Sequence, residues 1–340
     1  MNFFRSEKTK TSEPSVNEKE PVHDPILTVQ EDFKSPAPPT LDETQQQKLN
    51  QLRDFVSDMT LPDTDDYYEN EKRFLTDATL HRYMRARKWD VEAAKTMLKN
   101  TIVWRRDFRP DQLDPSYIRP EAETGKMYYS GFDRSGRPLW IMRPRNQNSK
   151  DNERQIKHIV FCLERGIRLM PPGVETVDII IDFKGAMASS HPSLSTSKKF
   201  LEILGNHYPE RLGKGHWLNH VMPSSSSVSS FPAYALPTNT HISIYALRTI
   251  APWFFLTSFK LISPFIDPVT AAKIKFVVDK KGDSADAKHD ASQLAYLPDY
   301  IPEDQIETEF FGDRHFSFDI NSYWSRLLEL TGDPYKVIDY

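Results

Sequence analysis

The side chains of this chain that could serve as nucleophiles, acids or metal ligands are not spaced to do so. Its one cysteine, Cys162, falls in a predicted amphipathic helix with no activating base in view, which suits a packed thiol. The ten histidines show no metal-ligand spacing. Asp178 and Asp182 bracket a predicted strand, a common place for carboxylates without catalytic duties. Gly213-Lys214 fails as a phosphate loop because Tyr208 stands where the first glycine is required. Gly-x-Gly-x-x-Gly, His-Glu-x-x-His and Gly-x-Ser-x-Gly are all absent. The familiar enzyme classes are disfavoured, nothing positive supports an unrecognised hydrolase, and no cofactor or metal is implied.

What the spacing does favour is a greasy segment beside cationic and hydroxyl groups. Trp253, Phe254, Phe255, Leu256, Phe259, Leu261 and Ile262 crowd into about three helical turns. They cover more than the single apolar stripe a surface helix needs. Lys260 and the Ser263-Pro264 break make the run too short and interrupted to span a bilayer. Two readings stand from the run alone: an ordinary buried core helix, or a cover whose second face meets lipid, membrane or a partner. Asp267-Pro268 then reads as an N-cap followed by proline at the first helical position. Thr270 and Lys273, three apart, project from one face of that helix.

The elements that must position these groups follow from the rest of the chain. The 340 residues carry a formal net charge of −4, so no global basic field argues for nucleic acid. One cysteine excludes an internal disulfide framework and fits a reducing compartment. The first residues, Met-Asn-Phe-Phe-Arg-Ser-Glu-Lys, lead into charges rather than an apolar stretch, so no secretory signal is expected. No apolar run reaches transmembrane length. Residues 1–45 are rich in Glu, Lys, Ser, Thr and Pro and read as a disordered tail. Asp77 is read as the cap of a helix carrying Leu80, Tyr83 and Met84, and Asp90 as the cap of another with Ala94, Met97, Leu98 and Thr101 at helical spacing. Together these predict a helical module over 46–115.

After Pro120 the pattern changes. Met127-Tyr128-Tyr129 and Pro138-Leu-Trp-Ile-Met142 flank a turn at Asp133-Arg-Ser-Gly-Arg137, predicting a hairpin. An amphipathic helix is expected over 151–170, stopped by Pro171-Pro172-Gly173. Val177–Phe183 reads as a strand buried on both faces. Helix is predicted from Leu194 to Asn206, a short strand at Phe276-Val277-Val278, and a terminal helix over 319–331. Strands alternating with helices predict an α/β fold with a mixed or parallel sheet.

Five blocks, in order over roughly residues 46–315, resemble the CRAL-TRIO lipid-binding family and its fungal phosphatidylinositol-transfer branch. They are Leu80-His-Arg-Tyr-Met-Arg-Ala-Arg-Lys-Trp-Asp90, Asp133-Arg-Ser-Gly-Arg-Pro138, Ile181-Asp-Phe-Lys-Gly185, His207-Tyr-Pro-Glu-Arg-Leu-Gly-Lys214 and Pro264–Lys275. The resemblance implies a helical N-terminal lobe (46–115) on a mixed-sheet lipid-binding lobe (120–315), followed by a C-terminal helix and tail (316–340). It also implies a pocket for one lipid, closed by a mobile gate helix on Trp253, Phe254, Phe255, Leu256 and Phe259. It implies no catalysis. It places the phosphoinositol headgroup at Arg87, Lys88, Glu210, Thr270 and Lys273, a set that supplies the cations and hydroxyl partners a buried phosphate and inositol ring require. Tyr128, Tyr129, Ser189 and Ser190 are the eligible second-ligand residues. Phosphatidylcholine is one such ligand. Arg143–Ser149, Arg154-Gln155, His158 and Leu163–Gly173 are closer to a sub-branch associated with sterol binding, so sterol is favoured.

Where family members have a handful of residues, this sequence places Gly215–Ile250, with Pro223-Ser-Ser-Ser-Ser-Val-Ser-Ser-Phe-Pro232 inside it. A loop that long is unusual in a compact fold. It is either a genuine insertion, whose 241–247 or 247–250 stretch supplies a missing strand, or a translated retained intron, which its composition favours. The function expected is a cytoplasmic protein that visits membrane surfaces, exchanges phosphatidylinositol with sterol or phosphatidylcholine, and presents it to phosphatidylinositol kinases. The alternatives are a lipid sensor that does not transfer, and an enzyme acting on a hydrophobic metabolite.

Overall fold

The computed structural model describes residues 20–186, 193–218, 272–277 and 294–332. The gate segment, Thr270, Ser189, Ser190 and residues 219–250 lie outside the described residues.

Four helices form the N-terminal lobe: α1 (Glu43–Ser57), α2 (Tyr68–Phe74), α3 (Asp77–Ala86) and α4 (Val91–Phe108). Asp42 and Gln45 make a reciprocal capping box on α1. Asp90 caps α4 as expected, accepting from Ala93 N at 3.0 Å. The cap of α3 is Thr76, whose hydroxyl accepts from Thr79 N at 3.3 Å. Asp77 is instead the first helical residue, where its charge meets the positive end of the helix. Leu52, Leu80, Met84, Ala94 and Leu98 close this lobe's own core.

A short helix, α5 (Pro115–Ala122), leads into a six-stranded mixed sheet in sequential order. The strands are β1 (Met127–Phe132), β2 (Pro138–Met142), β3 (Val177–Asp182), β4 (Leu212–Leu218), β5 (Ile274–Val277) and β6 (Leu294–Ala295). β1 and β2 are antiparallel, and every later neighbour is parallel. The hairpin turn is built by Asp133, whose Oδ1 accepts from Ser135 N and Arg137 N, both at 2.8 Å, while Gly136 takes φ +73°. The crossovers are α6 (Asn152–Leu169) and α7 (Leu194–His207), and α8 (Ile320–Thr331) closes the described chain.

Two expectations change. The place between β3 and β5 is filled by Leu212–Leu218, so the sheet is continuous there. Residues 215–218 are strand and not insertion, and no strand from 241–250 is needed at that place. The tail reading fails for residues 20–42. Leu27 is buried, Gly131 N donates to Ile26 O at 2.8 Å, and Val22 pairs with Phe316. A few apolar anchors suffice to lay this otherwise polar segment along the sheet lobe.

Candidate functional site

Sheet register sorts the side chains by face, because paired residues of neighbouring strands point the same way. Tyr129, Trp140, Ile179, Gly215 and Ile274 form one row. Helix α6 covers the β1–β2 end of this face, where Gly166 lies against the Tyr129 hydroxyl. Farther across, Met142, Ile179, Ile181 and Ile274 are only half-buried. The opposite face is sealed and holds Tyr128, Ile141, Ile180 and His216 in register, with Asp178 and Asp182 on the same side of β3. Lys214 N donates to Asp178 Oδ1 at 2.7 Å, and Arg145 pairs with Asp182. The polarity of β3 is therefore inverted. Its isoleucines at 179 and 181 are on the open face, and its carboxylates are inside.

α3 crosses the turn between α7 and β4. Tyr83 Oη donates to His207 O at 3.2 Å and Arg82 Nη1 to Pro209 O at 3.1 Å. The next residue, Glu210, is held in the left-handed region at φ +57°, a conformation few non-glycine residues adopt without reason. Lys273 Nζ donates to Leu212 O at 2.9 Å, at the start of β4. Arg87 and Lys88, both exposed, follow α3, and Arg87 lines a groove with Asn206 and His207. Trp89 N bonds Met84 O at 2.8 Å and Lys88 N bonds Arg85 O at 2.9 Å. That is a Schellman ending with lysine, at φ +52°, where glycine is preferred. Arg87 and Lys273 thus each meet a residue of the 206–212 segment that also carries Glu210, Arg87 through the groove and Lys273 through Leu212 O.

The tyrosines are not brought together. As consecutive strand residues they point to opposite faces. Tyr128 is fully buried and donates to Glu307 Oε1 at 2.5 Å. Tyr129 is equally buried, beneath α6, and its hydroxyl finds no hydrogen-bond partner. Cys162 is a packed thiol, pushed up to about 12 by burial.

A third constellation, at the lobe junction, escaped the sequence reading. Arg105 of α4 forks onto Glu164 of α6, and Tyr208 Oη donates to Glu164 Oε1 at 2.6 Å. Burial works to raise the Glu164 carboxyl, but the Arg105 charge and the two donors hold it below the usual carboxylate range. His207 stacks on Trp104 at 4.3 Å, and burial lowers it to about 4. The available signal was an arginine in the apolar stripe of α4, in step with Ala94, Leu98 and Thr101.

The sheet, its two-faced polarity and the helical lobe can now be set beside known proteins. The family model for the CRAL/TRIO domain matches residues 122–228 and 244–312, and that for its N-terminal domain matches 48–100. The chain belongs to the CRAL/TRIO family. The domain match leaves 229–243 unpaired, a stretch inside the expected 215–250 insertion. A CRAL-TRIO domain-containing protein of Schizosaccharomyces pombe is 37% identical over 78% of this chain and 22% of its own length. Phosphatidylinositol transfer protein PDR17 of Saccharomyces cerevisiae is 30% identical over 68% of this chain and 59% of its own. The SEC14 cytosolic factor of Kluyveromyces lactis is 30% identical over 71% of this chain and 72% of its own. The chain thus spans about a fifth of the first relative and three-fifths of the second. No described helix is long and apolar enough to cross a membrane.

Proposed function

We propose that this protein binds phosphatidylinositol, with its acyl chains along the open face of β3–β5 and its headgroup at Arg87, Lys88, Glu210, Thr270 and Lys273. The observation that carries the reading is the inverted polarity of β3. A strand that hides carboxylates and leaves Ile179 and Ile181 half-buried is explained by an apolar occupant on that side. Arg87 and Lys88 follow α3 and Lys273 bonds the start of β4, and cations of this kind suit a phosphate at one end of such an occupant. A relative bearing the name phosphatidylinositol transfer protein supports the same choice.

The protein then acts by exchange rather than by catalysis. It docks at a membrane surface, with 252–262 as the movable cover, takes sterol or phosphatidylcholine as alternate cargo, and presents phosphatidylinositol to its kinases from the cytoplasm. The test is transfer of labelled phosphatidylinositol from donor to acceptor vesicles, with native mass spectrometry of the carried lipid. Wild-type protein transfers, and Lys273→Ala extracts phosphatidylinositol several-fold more slowly. Lipid-free protein with no transfer above the spontaneous rate sinks the reading. Stable lipid loading without transfer makes the protein a sensor instead.

A further inference from the structure

Between the helical lobe and the sheet lobe lies a cavity of about 160 Å³ with five arginines in its wall: Arg73, Arg82, Arg105, Arg168 and Arg211. It is large enough for several waters or one tetrahedral oxyanion. Its three carboxylates are already taken. Glu164 and Asp111 face Arg105, at 2.9 and 3.8 Å, and Glu175 binds Arg85 at 2.5 Å. The side-chain hydrogen bonds of Arg168 go to the carbonyls of Thr331 and Asp111, and those of Arg211 to Glu175 O and Met170 Sδ. Among the described residues, no carboxylate forms an ion pair with either guanidinium. Two further donors, Arg105 Nε and Arg211 Nε, are buried without an acceptor, and Arg105 is 6% exposed. A buried N–H without a partner costs free energy that an incoming acceptor recovers.

We propose that this cavity is an anion site for a phosphate monoester or orthophosphate dianion. Planar guanidinium forks match phosphate oxygens in pairs, and a partly desolvated setting strengthens each contact. The site stands apart from the proposed headgroup residues. Arg211 lines this cavity, whereas Arg87, Lys88, Glu210 and Lys273 do not. A dianion here bridges α3 and α4 to the Tyr208–Arg211 turn and α6, and so ties the two lobes together.

The experiment titrates the full chain with inorganic phosphate at neutral pH, with sodium chloride at matched ionic strength, and follows heat of binding and the thermal midpoint. Saturable binding and a rise in midpoint beyond the chloride control are expected. Ala78 lines the cavity from the first turn of α3, where an added carboxylate suits the helix. Ala78→Glu therefore folds normally and binds phosphate at least about tenfold more weakly. Arg168→Gln is also weakened. Vesicles carrying a lipid with a phosphomonoester headgroup separate the sources. Ala78-dependent sedimentation that soluble phosphate competes away identifies a lipid, and binding of soluble phosphate alone identifies the free anion. A phosphate response no larger than chloride's, or an undiminished response in a folded Ala78→Glu protein, overturns the proposal.

Discussion

Arg105 and Glu164 join the two lobes fork to fork, with Nη1 to Oε1 at 2.9 Å and Nη2 to Oε2 at 3.4 Å. The acceptor is shared with Tyr208 Oη at 2.6 Å. Removing one charge leaves the other largely buried without its counter-ion. Glu164→Gln should lose about 3–5 kcal/mol in urea unfolding, whereas replacing both partners by apolar residues should restore much of that loss. A Glu164→Gln midpoint equal to wild type would show that water already serves Arg105.

Lys88 occupies the position after α3 that glycine fills most readily. Its left-handed backbone, φ +52°, costs about 1 kcal/mol that glycine would not incur. Lys88→Gly should therefore stabilise the chain by about that amount while weakening phosphatidylinositol loading. Stability and binding are then expected to move in opposite directions. If loading is unchanged, the exposed ammonium has no part in headgroup recognition.

Gly166 is where α6 approaches β1. A methyl group there would lie 2.1 Å from the Tyr129 hydroxyl and 2.5 Å from its ring carbon. Gly166→Ala should cost about 1–3 kcal/mol by overpacking. Tyr129→Phe removes the nearer atom, and with it a hydroxyl that has no partner. That change should be close to neutral alone and should relieve part of the Gly166→Ala loss. Equal losses in the single and double mutants would show that α6 shifts as a unit.

β1, β2, β3 and most helices were readable because their signals are local, whereas β4 and β6 were not read as strands. Asp90 three residues before Ala93 announced a cap, and Asp133-Arg-Ser-Gly announced the turn that Asp133 in fact builds. Asp77 misled because Thr76 and Asp77 are both good capping types, and only backbone geometry distinguishes them. The proposed headgroup residues Arg87 and Lys88 were visible through resemblance alone, since a helix ending in cations is ordinary. Tyr128 and Tyr129 were named together through resemblance, but a strand's two-residue period sends them to opposite faces. The arginine-lined junction was illegible because it assembles from α3, α4, α6 and the turn after α7, whose residues lie far apart in sequence.

His207 lines that junction and is lowered to about 4, chiefly by burial, with Lys199 and Arg105 adding to the effect and Glu202 opposing it. In the unfolded chain the imidazole titrates near its ordinary value, about 6.5. Between those values the unfolded state binds the extra proton, so stability falls as pH drops through that window. His207→Gln should flatten the dependence of the urea midpoint on pH between about 6.5 and 4. Buried His158, lowered to about 3 mainly by desolvation, leaves a residual slope of the same sign. An unchanged slope in the variant would mean that His207 protonates freely in the native state.

Adjacent isoleucines of β3 give the most direct test of the proposed cargo. Ile180 is fully buried on the sealed face, whereas Ile179 and Ile181 are half-buried on the open one. Asparagine at 180 places an amide among apolar neighbours and removes well-packed methyl groups, a loss of about 3 kcal/mol or more. Asparagine at 181 forfeits much less burial, about 1 kcal/mol, because that side chain already meets solvent or a ligand. If the occupant is an acyl chain, Ile181→Asn should fold and yet carry several-fold less phospholipid by native mass spectrometry. Folded Ile181→Asn with a full lipid complement would show that the open face of β3 is not where the chains lie. Equal destabilisation at 180 and 181 would show that both faces are closed by protein.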